Sequence, residues 1–242
     1  MKAFNWIILL VMLSLSNGAI IGNASPGADE ILRKIDEHRL ISASFEMTIR
    51  VESYLNQGLQ DVTVMKGSVN EGNMALLTFL EPSKLKGRKI SIKGNEMWLT
   101  IPNVKNPIRI TASQRLAGGV SYADIAGMNF ADGYSATRLE GESIAGMGSD
   151  GHPAAAKRCA VLELTAKNAG TNYHKIMIWA DEQSFLPVKA DFFALSGKKM
   201  ITVYYATPLE WNGKTIMTKM FLFDQINSAK YFSVEYQDII AA

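Results

Sequence analysis

The chain has 242 residues, 48% of them hydrophobic, with 25 basic against 23 acidic side chains. A net charge of +2 gives no footprint for nucleic acid, which a binding domain shows as a strongly basic stripe or patch. One cysteine, Cys159, makes no internal disulfide, and with His38, His152 and His174 as the only histidines a Cys/His metal site lacks ligands; no cofactor is expected.

The N-terminus carries one charge, Lys2, followed by an apolar run from Trp6 to about Leu15. That run is too short for a hydrocarbon core, which needs roughly 20 residues. A basic residue, a short apolar block and then small residues predict a secretory signal peptide. Gly22-Asn23-Ala24 places small residues three and one before a cut after Ala24. Residues 1–24 are therefore expected to be removed, and 25–242 to form the mature protein outside the cytoplasm. No cysteine follows the apolar run, so lipid anchoring is not expected. The mature length allows one large β domain or two small ones.

Ser25-Pro26 reads as a helix cap followed by proline in the first turn. Asp29 and Glu30 suit the positive end of a helix dipole. Ala28, Ile31, Leu32 and Ile35 share one face, which predicts a helix over 26–40. The period then becomes two: Phe45, Met47, Ile49 and Val51 alternate with Glu46, Thr48, Arg50 and Glu52, the pattern of a half-buried strand. Further strands are expected at 61–69, 74–80, 89–93, 96–101 and 108–111, separated by turn residues such as Asn56-Gln57-Gly58 and Gly94-Asn95.

Residues 112–152 break this pattern. Ser121 reads as the cap of a short helix through Ala126, residues 133–140 as a strand, and 145–151 as a loop. Strand patterns resume at 157–166, 173–180, 186–195, 199–206, 214–223 and 229–237. The fold class is mainly β with some helix (α+β): about ten or eleven antiparallel strands in order, in which sequential strands pair. Met74 to Leu80, Ile176 to Trp179, Met200 to Tyr205 and Ile216 to Phe223 are apolar on both faces. Either helices cover the second face, or the sheet curls around a cavity.

Catalytic chemistry is hard to assemble. No G-x-S-x-G elbow occurs, and Cys159 lies in an apolar strand pattern that suits a buried, inert thiol. The three histidines and the Asp181-Glu182 pair fit structural or surface positions. Gly146-Met147-Gly148 lacks the preceding strand and following helix of a dinucleotide site. Lys84, Lys86, Arg88 and Lys89 form the one basic cluster, read either as a charged loop at a sheet margin or as a docking surface for a protein or lipid headgroup.

Several stretches together resemble the periplasmic lipoprotein-carrier superfamily (LolA/LolB-like), and most closely its outer-membrane lipoprotein-sorting branch. They are the helix leading into Ser44-Phe45-Glu46-Met47-Thr48; the segment Phe79-Leu80-Glu81-Pro82-Ser83-Lys84-Leu85-Lys86-Gly87 followed by Asn95-Glu96-Met97-Trp98-Leu99-Thr100-Ile101-Pro102; Ser121-Tyr122-Ala123-Asp124-Ile125; and Cys159 to Leu164 with Tyr173-His174-Lys175-Ile176, Trp179 and Ser196-Gly197-Lys198. The resemblance implies a single open, strongly curved antiparallel half-barrel with a helical lid, in the periplasm. It implies a chaperone-like carrier and not an enzyme: an acyl chain of a lipid or acylated protein lies in the cavity and is handed on to a membrane partner, an inner-membrane exporter or an outer-membrane acceptor. Phe79, Trp98, Trp179, Phe192, Tyr204 and Phe221 are the cavity candidates, as large apolar residues on central strands. Glu81, Pro82, Tyr122 and Ile125 are the lid and edge candidates. Members of the superfamily place an arginine before the proline of the third strand, where this chain has Glu81. A lipid-sensing or protein-binding envelope module, an accessory of a membrane exporter and an esterase-like hydrolase are the rival readings.

Overall fold

The computed structural model describes residues 26–39, 44–69, 74–93, 96–111, 121, 129–168, 171 and 173–241. The signal peptide expected over 1–24 and the lid and edge candidates Tyr122 and Ile125 lie outside them, as does the helix expected through Ala126 apart from its expected cap, Ser121, which is buried. Helix α1 (Ala28–Arg39) carries Asp29 and Glu30 in its first turn and buries Ile31, Leu32 and Ile35, the face its spacing predicts. A second helix, α2 (Phe130–Gly133), is a single turn capped by Asn129, whose Oδ1 accepts from the Asp132 N–H at 3.1 Å.

Among the described residues, thirteen strands form one antiparallel sheet. In chain order they are β1 (Phe45–Leu55), β2 (Gly58–Val69), β3 (Met74–Glu81), β4 (Lys89–Lys93), β5 (Glu96–Thr100), β6 (Ile108–Ile110), β7 (Tyr134–Met147), β8 (Pro153–Ala166), β9 (Lys175–Asp181), β10 (Pro187–Phe193), β11 (Lys199–Trp211), β12 (Lys214–Asp224) and β13 (Lys230–Ala241). The strand count exceeds the expected ten or eleven. Consecutive strands pair except β6 and β7, and β1 also pairs with β13, from Phe45↔Ala241 to Leu55↔Lys230. The two edges are β6 and β7. The sheet is thus an open half-barrel, not a closed one.

The turns follow local side-chain chemistry. Asp181 Oδ1 accepts from the Gln183 and Ser184 N–H groups and from Ser184 Oγ in the β9–β10 turn, bonds that hold its carboxyl below the ordinary carboxylate range. Asp224 Oδ1 accepts from the Ile226 and Asn227 N–H groups between β12 and β13. The β7–β8 hairpin departs from the sequence reading. Residues 145–147, expected as loop, continue β7 and pair with β8 through Ala145↔Ala156 and Met147↔Pro153. Glycines disguise this strand because they serve close packing. A Cβ on Gly141 would stand 2.7 Å from the Cys159 carbonyl oxygen, beside the irregularity between Leu139 and Glu142, and one on Gly146 would touch Val188 Cγ1 at 3.5 Å.

Candidate functional site

The register divides the sheet into two faces. The inner face, on which α1 lies, takes Ile49 and Val51 from β1. It continues through the paired positions Ile49↔Met65, Met65↔Phe79 and Leu77↔Ile90, then through Met97↔Ile110 at the edge. In the other direction it runs through Val51↔Val234, Met220↔Val234, Leu222↔Val203, Ala190↔Val203, Phe192↔Ile176, Leu162↔Ile178 and Leu164↔Ile176. These residues and the apolar face of α1 form one buried cluster that reaches from β6 to β7. Helix α1 lies against β7, β10 and β12, so it sits over the β7–β12 half of the sheet.

A polar clasp fixes both helices. Arg39 Nη1 donates to Asp36 Oδ1 at 2.9 Å, Arg39 Nε donates to the Tyr205 hydroxyl at 3.2 Å, and the guanidinium lies 3.6 Å from the Phe130 ring centroid. Asp36 Oδ2 accepts from the Ala131 N–H at 2.8 Å. One ion pair therefore ties α1 to α2 and both to β11. Burial pushes the Asp36 carboxyl up, and the Arg39 charge opposes that rise. His38 adds a second tether: Nδ1 lies 2.6 Å from the Thr215 carbonyl oxygen and Nε2 3.0 Å from that of Ser184.

The outer face holds a second, smaller apolar cluster of Cys159, Val161, Trp179 and Val188, with Ile144 packed against it. It forms because the far half of the β7–β8 hairpin folds over the sheet. Trp179 Nε1 donates to Glu142 Oε1 at 2.6 Å, and a Cβ on Gly151 would lie 3.3 Å from Phe221 Cε1. Beside it Asp191, 3% exposed, accepts from Lys189, Lys199 and the Thr202 hydroxyl at 3.1, 2.7 and 2.7 Å. Further across, the Tyr54 and Tyr231 rings stack at 4.6 Å and Phe223 joins them at 5.6 Å from Tyr231. The Tyr54 phenol, donating to Glu52 Oε2 at 2.6 Å, is pushed up to about 12.

These faces sort the residues expected at a cavity. Phe79 and Phe192 stand on the inner face and are buried; Phe192 packs at 4.8 Å from Tyr173 and 6.2 Å from Phe130. Trp98, Trp179, Tyr204 and Phe221 stand on the outer face, as Ser91↔Trp98, Trp179↔Lys189 and Tyr204↔Phe221 show. Trp179 and Phe221 are covered by the hairpin, Tyr204 is half-buried against Phe223 at 5.9 Å, and Trp98 is exposed. The structure therefore brings two of the six to the face beneath α1 and leaves four on the other side. Glu81 is exposed at the end of β3, and Pro82 opens the β3–β4 turn, where its carbonyl accepts from the Leu85 and Lys86 N–H groups. The inner-face residues that the sequence reading passed over are aliphatic or sulfur-containing: Ile49, Met65, Leu77, Ile90, Met97 and Met220. The alternation in β1 sets the first of them, Ile49, on the apolar face of that strand, though not among the cavity candidates.

No group of His, Cys, Asp and Glu among the described residues converges as a metal site. Cys159 is fully buried, and burial with the nearby Asp181 charge pushes its thiol up to about 11. A maleimide reagent is expected to leave the native thiol unmodified and to label it only as fast as the protein opens; rapid labelling of the folded protein would contradict the burial. No helix among the described residues is long and apolar enough to cross a membrane.

This open half-barrel is shared with solved structures of the LolA superfamily. The chain is similar to a LolA superfamily protein from Nitrosomonas europaea, at 28% identity and TM-score 0.78 over 90% of this chain and 94% of that one. It is also similar to an outer membrane lipoprotein-sorting protein domain from Vibrio parahaemolyticus, at 19% identity and TM-score 0.72 over 88% and 92% of the two chains. A DUF1329 family protein from Desulfovibrio piger has the same fold, at 16% identity and TM-score 0.71 over 88% and 91%. No curated protein matches the chain. The chain belongs to the family described as "Uncharacterized protein" whose model matches residues 71–241.

Proposed function

We propose that this protein is a periplasmic carrier that holds an acyl chain of a lipid or lipoprotein against the inner face of the half-barrel and hands it between membrane partners without chemistry. The observation that carries the reading is an apolar inner face that runs the full width of a sheet whose edges, β6 and β7, do not pair with each other. Open edges allow such a sheet to spread around cargo, which a closed barrel resists. Met65, Met97, Met217 and Met220 belong to that face and Met47 packs against it. Their flexible thioethers adapt to ligands of varied shape. Burial of each methylene is worth about 0.8 kcal/mol, so a long acyl chain gains on the order of 10 kcal/mol before ordering costs.

In this reading Phe79 and Phe192 contact the cargo from opposite halves of the sheet, and the α1–α2 clasp governs access. The likeness to a LolA superfamily protein and to a lipoprotein-sorting domain supports the assignment. The periplasmic location and the removal of residues 1–24 belong to the same proposal.

Protein purified without detergent is expected to release lipid or acylated peptide on organic extraction, with a matching mass difference between native and denaturing mass spectrometry. Ile92→Asp, which sets a carboxylate on a half-buried part of the inner face, is expected to abolish uptake of a fluorescent fatty acid. A clean apo mass that persists after lipids are offered overturns the carrier reading in favour of a protein-binding module.

A further inference from the structure

Between positions 81 and 111 the sequence has seven basic residues and two acidic ones, a local charge of +5 in a chain whose total is +2. The rest of the chain is consequently net acidic, at −3. This asymmetry is invisible in the overall composition.

Strands β3–β6 gather these cations at one corner of the sheet. Trp98 stands on the outer face of β5 with Arg109 directly across on β6. On β4 its direct partner is Ser91, so Lys89 and Lys93 are its diagonal neighbours on the same face. Lys84, Lys86 and Arg88 lie in the turn between β3 and β4. That turn abuts the β5–β6 loop, which holds Val104 and Lys105: a Cβ on Gly87 would stand 3.2 Å from Pro102 Cγ. Lys84, Lys86, Arg88, Lys89, Lys93 and Lys105 have no ion-pair partner among the described residues, and Arg109 has only Glu96, at 3.8 Å. Apolar side chains are exposed among them: Trp98 at 38%, Leu80 at 40% and Val104 at 47%.

Unpaired cations alone mark a solvated surface. Cations interleaved with an exposed indole and exposed aliphatic side chains fit a narrower range of partners. At an anionic bilayer, lysine and arginine meet lipid phosphates while tryptophan settles at headgroup level. We propose that the β3–β6 corner docks the protein on an anionic lipid surface, with Trp98 and Val104 entering the headgroup layer and the unpaired lysines contacting phosphates. The docking does not depend on cargo in the inner face, and the test separates the two by measuring where the protein goes, not which lipid it takes up.

The purified protein is mixed with sedimentable vesicles of phosphatidylcholine alone, or of phosphatidylcholine and phosphatidylglycerol in equal parts. Binding is expected only to the second kind, with a blue shift of tryptophan emission, and it weakens as added salt shortens the screening length. Replacing Lys84 and Lys86 together by glutamine is expected to lower the partition coefficient on the order of tenfold or more. Trp98→Ser abolishes the blue shift. Lys157→Gln with Lys198→Gln, both exposed and outside the corner, leaves binding unchanged. All these side chains are exposed or at the surface, so unfolding midpoints stay at the wild-type value and report that each variant is folded. Equal binding to both vesicle types, or corner variants that bind as wild type does, overturn the proposal. So does the absence of binding, which would direct attention to an acidic protein partner.

Discussion

Replacing Arg39 by methionine is expected to lower the unfolding free energy by about 3–5 kcal/mol, read as a shift of the urea midpoint at constant slope. The cost comes from what is left behind. Asp36 is 6% exposed, and without the guanidinium its carboxylate keeps the Ala131 N–H but loses its cation. Replacing Asp36 by leucine at the same time is expected to recover most of the loss, since an apolar pair of similar volume carries no desolvation cost. The effect depends on pH with a definite sign. Burial raises the Asp36 carboxyl in the folded state, so ionising it costs stability as pH rises from the ordinary carboxylate value to the folded one. Removing Arg39 enlarges that rise. The gap between variant and wild type is therefore smallest in acid and full at neutral pH. A gap that does not change with pH would show that the pair contributes by packing alone. Because the clasp holds α1 and α2 on β11, the variant should also take up a fluorescent fatty acid faster than wild type in the carrier reading.

Asp191→Ala is expected to cost about 3 kcal/mol, at the low end of the same range because Lys199 can turn to water. Truncation leaves Lys189 and Lys199 facing each other across an empty site and strands the Thr202 hydroxyl. Here the pH dependence of the wild type has the opposite sign. Burial would raise this carboxyl, but the bonds from Lys199 and Thr202 and the Lys189 charge outweigh it and lower it. Its contribution is present above the ordinary carboxylate value and is lost as pH falls through the lowered one. Urea titrations of wild type and Asp191→Ala should therefore converge in strong acid. Persistence of the full difference there would mean that the variant disturbs β10 itself and not the ion cluster.

Local chemistry made the elements legible. The three-to-four spacing of Ile31, Leu32 and Ile35 marked α1, and the alternation from Phe45 to Val51 marked β1. Asn, Asp and Gly clusters marked the turns. Glycine-rich stretches misled where the glycine serves close approach, as at Gly141 and Gly146. The faces were much less legible, and register irregularities are the reason. Pairing skips Gln60 opposite Ser53 and Tyr54, Leu80 opposite Val64 and Met65, Val188 between Pro187 and Lys189, and Met200 opposite Phe192 and Phe193. Each skip reverses which parity faces the core. An aromatic such as Trp179 in an apolar strand thus has no face that sequence alone can assign. It lies outward because a hairpin from elsewhere in the chain returns to cover it. The Asp36–Arg39 pair was missed for another reason: an i,i+3 pair at a helix end looks like a surface ion pair until the tertiary fold buries it.

The joint between β1 and β13 has a consequence for how the protein is made. All other pairings link strands that are near in sequence and can zip locally. The pairing of Phe45 with Ala241 instead joins nearly the two ends of the described chain, in the middle of the sheet. A chain emerging N-terminus first could assemble β1–β6 and then β7–β12 as separate meanders, yet they become one sheet only when the final strand arrives. The seam carries the largest loop-closure entropy of these pairings, because its two strands are the farthest apart in sequence. Until the final strand arrives, the two meanders keep unpaired edges at β1 and β12, the positions it bridges.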